Sequence, residues 1–299
     1  MGISFEQLKD RNGEPYMRLV SYEGNAAQLA VPAEHDGIPV RSIGSHALEE
    51  HQELREIYLP ETIREIRSFA MYSCVNLRTV SLYDKAEDYY DGVIRGCTSL
   101  RKIEIRSGGK SYALMRQMLQ DVDNMLRFHL IFSDHEVWLT FPEYVSEAHE
   151  DTMARAIHFS IEGAGIAYRE CVHKREIDYA EYDSLFDRLT DYDFDAAADI
   201  ALDRLTTPEE LGAKAGETYT AFLRQNAERA LLHLIKAKDA DRVRYICENH
   251  LADPDAVRAV LQAASAEGDA QICGILMQGL SDEGKSEEGT SSAFTLDDW

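Results

Sequence analysis

A short pattern recurs every 23 residues in the first third of the chain and constrains the fold more than any other sequence feature. Segments 54–59, 77–82 and 100–105 each read L-R-x-[IV]-x-[LI]. Apolar residues at alternate positions are typical of a β-strand that buries one face. A fixed period of this length predicts a solenoid, in which each copy forms one coil and neighbouring coils share a core.

The segments between these strands repeat as well. Three apolar positions recur 23 residues later, Val40, Ile43 and Ala47 as Ile63, Ile66 and Ala70. An earlier strand at 29–32 precedes 57–60 by 28 residues, so its coil is longer. The third copy departs from the pattern at the positions of Pro60, Ile63, Ile66 and Phe69, which become Tyr83, Ala86, Tyr89 and Gly92. We therefore expect this coil to be distorted or to bulge outward.

These residues resemble the BspA-like type of bacterial leucine-rich repeat. The family pattern V-x-x-I-G-x-x-A is present at 40–47, and its Cys followed by an S/N-L pair is present at 74–77 and 97–100. The resemblance covers about residues 16–107, and we place a cap and the repeat array in residues 1–110. It implies a leucine-rich-repeat solenoid whose exposed strand face contacts other proteins.

Alternate strand positions point away from the core. The sequence thus predicts that six residues line one exposed sheet face: Glu56, Tyr58, Thr79, Ser81, Lys102 and Glu104. This face is a candidate protein-binding surface. A short stack could also be a scaffold or cap with a merely solvated face, and both interpretations stay open.

One arginine recurs in each coil. Arg55, Arg78 and Arg101 occupy equivalent positions and form a predicted ladder. Three stacked cations need anions nearby, and we expect Glu53, Glu56 or Glu104 to serve as internal counter-ions. An acidic partner peptide is the alternative.

Charge and cysteine content exclude several function classes. The formal net charge of −23 argues against nucleic acids and anionic membrane surfaces as partners. The five cysteines include no C-x-x-C pair, and Cys74 and Cys97 lie one period apart, which favours buried structural thiols. We expect no cofactor and no metal. The sequence shows no long apolar run and does not begin with basic residues followed by an apolar stretch. We therefore expect a cytoplasmic protein.

Residues 111–192 are predicted to form a small α/β unit. A helix is expected at 111–122 and strands at 125–132 and 137–141, joined by a hairpin loop. A further strand pair, 156–161 and 166–169, is expected around 163–165. Seven residues of this unit could converge on an enzymatic or regulatory site, namely Glu143, Tyr144, His158, Tyr168, Arg169, Cys171 and His173.

The remaining chain is predicted to be a helical segment followed by a tail. Helical apolar spacing continues over 193–280, and a weak match between 237–247 and 266–276 resembles degenerate ankyrin-type helix pairs without their T-P-L-H signature. Residues 281–299 read as a disordered acidic tail. Phe294, Leu296 and Trp299 could dock into a groove of a partner, or they could belong to a frayed terminus.

The predicted fold class is α+β: a short leucine-rich-repeat solenoid, a small α/β unit and a C-terminal helical-hairpin array. The predicted function is non-catalytic, intracellular protein–protein interaction or scaffolding. The alternatives are an enzyme or regulatory subunit with its site in the middle unit, and a secreted adhesin-type repeat protein.

Overall fold

The structure is a computed structural model that describes residues 2–109, 111–151, 156–190 and 192–290. The chain divides into two compact units, Met1–Ala196 and Ala197–Trp299. The first unit contains the strands and the second is helical. The predicted α+β class, with a β-solenoid followed by helices, is confirmed.

Two six-stranded sheets form the solenoid within the described part of the first unit. The first sheet has the order β1-β2-β5-β7-β9, with β4 beside β5, and the second has the order β12-β11-β10-β8-β6-β3. The strands are β1 (Gly2–Lys9), β2 (Pro15–Glu23), β3 (Gln28–Ala30), β4 (Glu34–His35), β5 (Ile38–Ile43), β6 (Glu56–Tyr58), β7 (Glu65–Ile66), β8 (Thr79–Tyr83), β9 (Asp88–Tyr89), β10 (Lys102–Arg106), β11 (Leu126–Ile131) and β12 (Glu136–Phe141).

Successive coils pair in parallel with the register that the repeat predicts. Thr79 lies opposite Lys102 in the second sheet, and Glu65 lies opposite Asp88 in the first. Each pair is one 23-residue period apart. The apolar strand positions Ile57, Val80 and Ile103 are completely buried. Burial of about 25 cal/mol per Å² of apolar surface makes this shared core the main stabilising contribution.

Left-handed turn residues also follow the period. Residues with positive φ occur at two equivalent positions of three successive coils, which are His46, Phe69 and Gly92 at one position and Glu50, Ser73 and Gly96 at the other. The third coil therefore keeps the turn geometry of the others, and it uses glycine at both positions, where positive φ is least strained.

The expectation of a distorted third coil is wrong. Asp88 and Tyr89 pair in register with Glu65 and Ile66, and Tyr89 is buried at the position of Ile66. Gly92 also leaves space for the preceding coil, because an added Cβ there would lie 2.5 Å from the Phe69 ring. The substitutions in this copy therefore preserve the coil.

The repeat sheet continues past residue 110. Helix α1 (Ala113–Asp121) takes the place of the next return segment, β11 joins β10 in parallel, and β12 adds as an antiparallel last strand. The amide of Asn124 donates to the carbonyl oxygen of Leu100 (2.6 Å), as that of Asn76 does to Gln52 (2.9 Å). The two strands that we assigned to a separate α/β unit thus belong to the solenoid sheet.

A hairpin and three short helices complete the first unit, namely β13 (Val145–Asp151), β14 (Ala156–Glu162), α2 (Gly165–Glu170), α3 (Tyr179–Ser184) and α4 (Phe186–Leu189). The strand predicted at 166–169 is wrong, because these residues lie in α2 and β14 pairs with β13 instead. Gly165 explains the difference. The carbonyl groups of Pro142 and Glu143 approach it so closely that no side chain would fit, which allows α2 to pack against the end of β12.

Six helices form the described part of the second unit: α5 (Phe194–Thr206), whose first three residues precede the unit, α6 (Ala213–Gln225), α7 (Ala227–Ala237), α8 (Ala240–Glu248), α9 (Pro254–Ala266) and α10 (Ala270–Thr290). Side-chain caps begin several of them, as where Asp253 accepts from the backbone of Ala256 at 2.7 Å. The ankyrin-like relation of these helices stays a prediction. Helix α10 ends at Thr290, ten residues into the segment 281–299 that we predicted to be a disordered tail.

A buried ionic cluster joins three helices of the second unit. The guanidinium group of Arg242 in α8 contacts Asp199 of α5 (2.7 Å) and Asp239 (2.7 Å), and His233 of α7 contacts the same Asp199 carboxylate (3.0 Å). Burial opposes the charge of Arg242, but the surrounding carboxylates outweigh it and raise its pKa. Removal of one partner from such a cluster leaves an uncompensated buried charge.

Arg169 holds the segment after the solenoid sheet together. Its buried guanidinium group donates to the carbonyl oxygens of five residues, Leu119 (3.2 Å), Pro142, Gly165 (3.1 Å), Asp123 (3.3 Å) and Asn124 (2.8 Å). Its Cζ lies 4.8 Å from the centre of the Tyr144 ring. Burial lowers the pKa of Arg169 to about 10. The side chain therefore stays charged at neutral pH, and its guanidinium group is engaged in contacts within the fold.

We expect Arg169→Ala to lower the free energy of unfolding by about 3 kcal/mol or more, because several buried carbonyl oxygens lose their donor. Arg175→Ala removes an exposed arginine of the same unit and should change stability by less than about 0.5 kcal/mol. Urea unfolding followed by circular dichroism measures both. Equal stability of the two variants would contradict this role.

Candidate protein-binding face

The outer face of the second sheet, here called the strand face, carries the six predicted residues. Pairing between β6, β8 and β10 brings Glu56, Thr79 and Lys102 into one row and places the other three in the adjacent row, namely Tyr58, Ser81 and Glu104. The structure therefore brings all six onto one face. Their role in binding stays a prediction.

The first end of the strand face carries an exposed tyrosine. Tyr58 is 38% exposed, and its hydroxyl donates to the Glu56 carboxylate. The same carboxylate accepts from the Gln28 amide at 3.0 Å. The hydrogen bond to Glu56, together with partial burial, raises the pKa of Tyr58. Tyr58 is thus held in place with its ring open to a partner.

Ser81 is not part of the exposed surface. It is only 2% exposed, and the Arg106 guanidinium group donates to its hydroxyl at 2.9 Å. The prediction that Ser81 lines an exposed face is wrong, because a long side chain from the next strand covers it. Arg106 also lies over the Tyr83 ring, with its Cζ 5.5 Å from the ring centre.

Lys102 and Glu104 form a charged group at the centre of the strand face. The Glu104 carboxylate lies 3.2 Å from Lys102 Nζ and 3.5 Å from His129 Nδ1. Burial by itself would raise the pKa of Glu104, but the charge of Lys102 and the hydrogen bonds from Lys102 and His129 outweigh it and lower the pKa. His129 Nε2 in turn contacts Glu136 at 2.9 Å.

An aromatic residue that the sequence reasoning missed lies at the other end. Trp138 of β12 stacks on His129 with ring centres 3.9 Å apart, and the Arg127 Cζ lies 4.0 Å from the centre of its ring. Lys102 Nζ lies 5.2 Å from the same centre. Strands β11 and β12 therefore extend the strand face beyond the six predicted residues. The pair Asn124-Met125, which repeats Asn76-Leu77, is the sequence signal that could have indicated this coil.

Among the residues proposed for an enzymatic site in the middle segment whose side chains are described, Arg169 and Tyr144 are in contact, whereas the others differ in burial. Tyr168 and Cys171 are buried, whereas His173 and Glu143 are exposed. Burial raises the pKa of Cys171 to about 12, so its thiol stays protonated. Arg169 is bound to backbone carbonyl groups, and the side chain of His158 lies outside the described part of the chain.

Tyr144 is the member of this set that borders a cleft. The cleft encloses about 280 Å³, and its other lining residues lie in the segments 95–98 and 120–124. These segments belong to the third and fourth coils. The cleft is therefore a feature of the solenoid rather than a site built by residues 140–175.

Two further observations concern the described residues. No group of His, Cys, Asp and Glu side chains there is arranged to hold a metal ion. None of the helices in those ranges has the length and apolar character needed to cross a bilayer. The predicted docking residues Phe294, Leu296 and Trp299 lie outside the described part of the chain.

A comparison with known protein families finds a match in the repeat region. Six copies of the family described as "BspA type Leucine rich repeat region" match residues 35–122. Residues 35–122 thus match the BspA-type leucine-rich repeat family. The resemblance predicted from the sequence is confirmed, although the match begins at residue 35 rather than at about 16 and extends past residue 107 to include α1. Leucine-rich repeat proteins generally mediate protein–protein interaction.

Solved structures of bacterial leucine-rich repeat proteins are similar to this chain. A leucine rich cell surface protein from Faecalibacterium prausnitzii is 21% identical, with 35% of this chain and 32% of that chain covered and a TM-score of 0.28. A leucine-rich repeat protein from Bacteroides ovatus is 22% identical, with coverages of 36% and 31% and a TM-score of 0.28. The chain spans about a third of the length of these two proteins. A search of curated proteins finds no match.

The ionic group of the BspA-type repeat sheet predicts a pH dependence. The pKa of Glu104 is lowered in the folded state from an ordinary value of 4.5. Its stabilising contribution is therefore present above pH 4.5 and is lost as the pH falls through the lower, folded-state pKa. We expect Glu104→Gln to unfold more easily than wild type at neutral pH, with the difference shrinking on acidification. The exposed control Glu53→Gln should follow wild type throughout thermal unfolding scans, and a Glu104→Gln difference independent of pH would contradict the prediction.

Proposed function

We propose that this chain is a non-catalytic protein-interaction or scaffold protein that binds through the strand face of its leucine-rich repeats. The observation that carries this proposal is the continuous row of side chains from Tyr58 to Trp138, with arginine and lysine beside the tryptophan. Tyrosine, tryptophan and arginine are the residues that most often dominate binding energy at protein interfaces.

The geometry of the strand face also supports binding to a protein. Glu56 and Glu104 fix the orientation of Tyr58, Lys102 and His129 through hydrogen bonds. A partner that binds such a surface loses little additional side-chain freedom, because the side chains are already held in place. The exposed Tyr58 ring and the half-buried Trp138 ring, each flanked by charged groups, can then contribute both burial and directional contacts.

We further propose a cytoplasmic location. The five cysteines, all of which lie in the described residues, form no disulfide, and two of them are integrated into the repeat. Cys74 Sγ donates to the Leu48 carbonyl oxygen (2.9 Å) and Cys97 Sγ donates to that of Met71 (3.1 Å). Buried, unpaired thiols with a packing role are compatible with a reducing compartment.

The location is tested by cell fractionation with an antibody to the native protein. We expect the protein in the cytosolic fraction, with cysteine thiols that react with maleimide after denaturation without prior reduction. Recovery from the outer surface or the culture medium would contradict the proposed location and would favour the adhesin alternative.

The binding function is tested by affinity capture from the source cells and quantitative mass spectrometry with matched tyrosine variants. Tyr58→Ala truncates the strand face, and Tyr90→Ala truncates a ring of similar exposure (42%) that follows β9 of the other sheet. We expect Tyr58→Ala to lower recovery of a specific partner about tenfold, which corresponds to a loss of about 1.4 kcal/mol.

Trp138→Ala should reduce recovery of the same partner, while Tyr90→Ala should retain it. Thermal unfolding of each variant verifies that the repeat sheet is intact. Equal recovery by the wild type, Tyr58→Ala and Trp138→Ala would contradict binding through the strand face.

A further inference from the structure

The predicted arginine ladder is present at the edge of the repeat sheet. Arg55, Arg78 and Arg101 precede β6, β8 and β10, and all three side chains are exposed. Backbone hydrogen bonds join them in order, from Arg78 N to Arg55 O (2.7 Å) and from Arg101 N to Arg78 O (3.1 Å). Neighbouring strands are about 4.8 Å apart. The backbone positions that carry the three arginine side chains therefore span only two inter-strand spacings.

Two of the three counter-ions that we expected for this ladder, Glu56 and Glu104, are engaged elsewhere, and no described ion pair includes Glu53. Glu56 accepts from Gln28 and Tyr58, and Glu104 is paired with Lys102 and His129. Among the described residues, no ion pair includes the guanidinium group of a ladder arginine. The expectation of internal counter-ions is therefore wrong. Arg101 instead donates to the carbonyl oxygens of Thr98 (3.0 Å) and Leu100 (2.9 Å).

The ladder adjoins the basic end of the strand face, although Leu126 rather than an arginine occupies the ladder position in the next coil. Arg127 N donates to Arg101 O at 2.7 Å, which places Arg127 in the next coil. Its guanidinium group lies over Trp138, and Lys102 lies beside the same ring. Arg127 and Lys102 thus border the Trp138 ring, and the three ladder arginines precede the neighbouring strands, in a chain whose net charge is −23. The positive charge is local to this surface, whereas the composition of the whole chain is acidic.

We propose that the arginine ladder, together with Lys102, Arg127 and Trp138, binds an acidic segment of a protein partner. Guanidinium groups donate paired hydrogen bonds to carboxylates, and Trp138 is the aromatic ring that lies beside two of these cations. The electrostatic attraction is stronger at low ionic strength, since the arginines are exposed and screened by salt. This inference rests on the proposed function and specifies the chemistry of its partner.

An acidic peptide fits this surface better than a nucleic acid does. The ladder carries few cations, and the carboxylates of Glu56, Glu104 and Glu136 lie beside it on the strand face. A phosphate backbone needs many cations along a continuous path, and the surrounding negative charge would repel it. A peptide can place carboxylates at the ladder and neutral side chains over the rest of the face.

The test uses the full chain and a fluorescein-labelled probe peptide in which Glu alternates with Gly and one Phe is included. The triple variant Arg55→Gln, Arg78→Gln, Arg101→Gln removes the ladder charges. The matched control Arg116→Gln, Arg175→Gln, Arg188→Gln removes the same number of exposed charges from other parts of the first unit. Fluorescence anisotropy gives the Kd of each protein at low and raised salt.

We expect the ladder variant to bind the acidic probe about tenfold more weakly than wild type and the control to stay within about twofold. A probe with Gln in place of Glu should not bind, and raised salt should weaken the wild type towards the ladder variant. Equal affinity of the two triple variants would overturn the proposal. Tighter, ladder-dependent binding of a single-stranded oligothymidylate would overturn it in favour of nucleic acid.

The capture experiment separates this inference from the proposed function. If a partner is recovered neither by Tyr58→Ala nor by the ladder variant, the result supports both proposals. A partner lost on Tyr58→Ala but retained by the ladder variant supports the strand face and overturns the acidic-segment assignment. A partner retained by every variant overturns both.

Discussion

Parallel backbone pairing between successive coils is the interaction on which the rest of the first unit depends. Each coil is too small to bury its own apolar strand face, so stability requires that Ile57, Val80 and Ile103 stack in register. The same pairing aligns every equivalent position across the sheet. Turn residues, buried thiols and surface arginines are therefore organised by one hydrogen-bonding pattern rather than by separate interactions.

This alignment also decides the character of the binding surface. Rows of side chains one strand apart interact directly, so Glu104 reaches both Lys102 on its own strand and His129 on the next. Opposite charges within the strand face neutralise one another, whereas the arginines that precede the strands lie in a row of like charge. The surface can therefore be basic at its edge although the chain as a whole is strongly acidic.

Much of the solenoid could be predicted from the sequence, and the limits of prediction have definite causes. The period placed Glu56, Tyr58 and Lys102 on one face because alternation and register follow from backbone geometry alone. The last coil was missed because α1 replaces its turn-rich return and changes the spacing to 25 residues between Lys102 and Arg127. The pairing of β14 was missed because its partner β13 carries no alternating apolar pattern.

The sequence by itself determined the coil, its period, the strand positions and the side of each strand that is buried, because these depend on residues close together in the chain. Only the tertiary structure decided which side chains of the strand face are available. Arg106 covers Ser81, Trp138 joins from the last strand, and Glu56 and Glu104 bind partners other than the ladder arginines. A long side chain can contact any of several partners within reach, and which contact forms depends on the three-dimensional distances between coils.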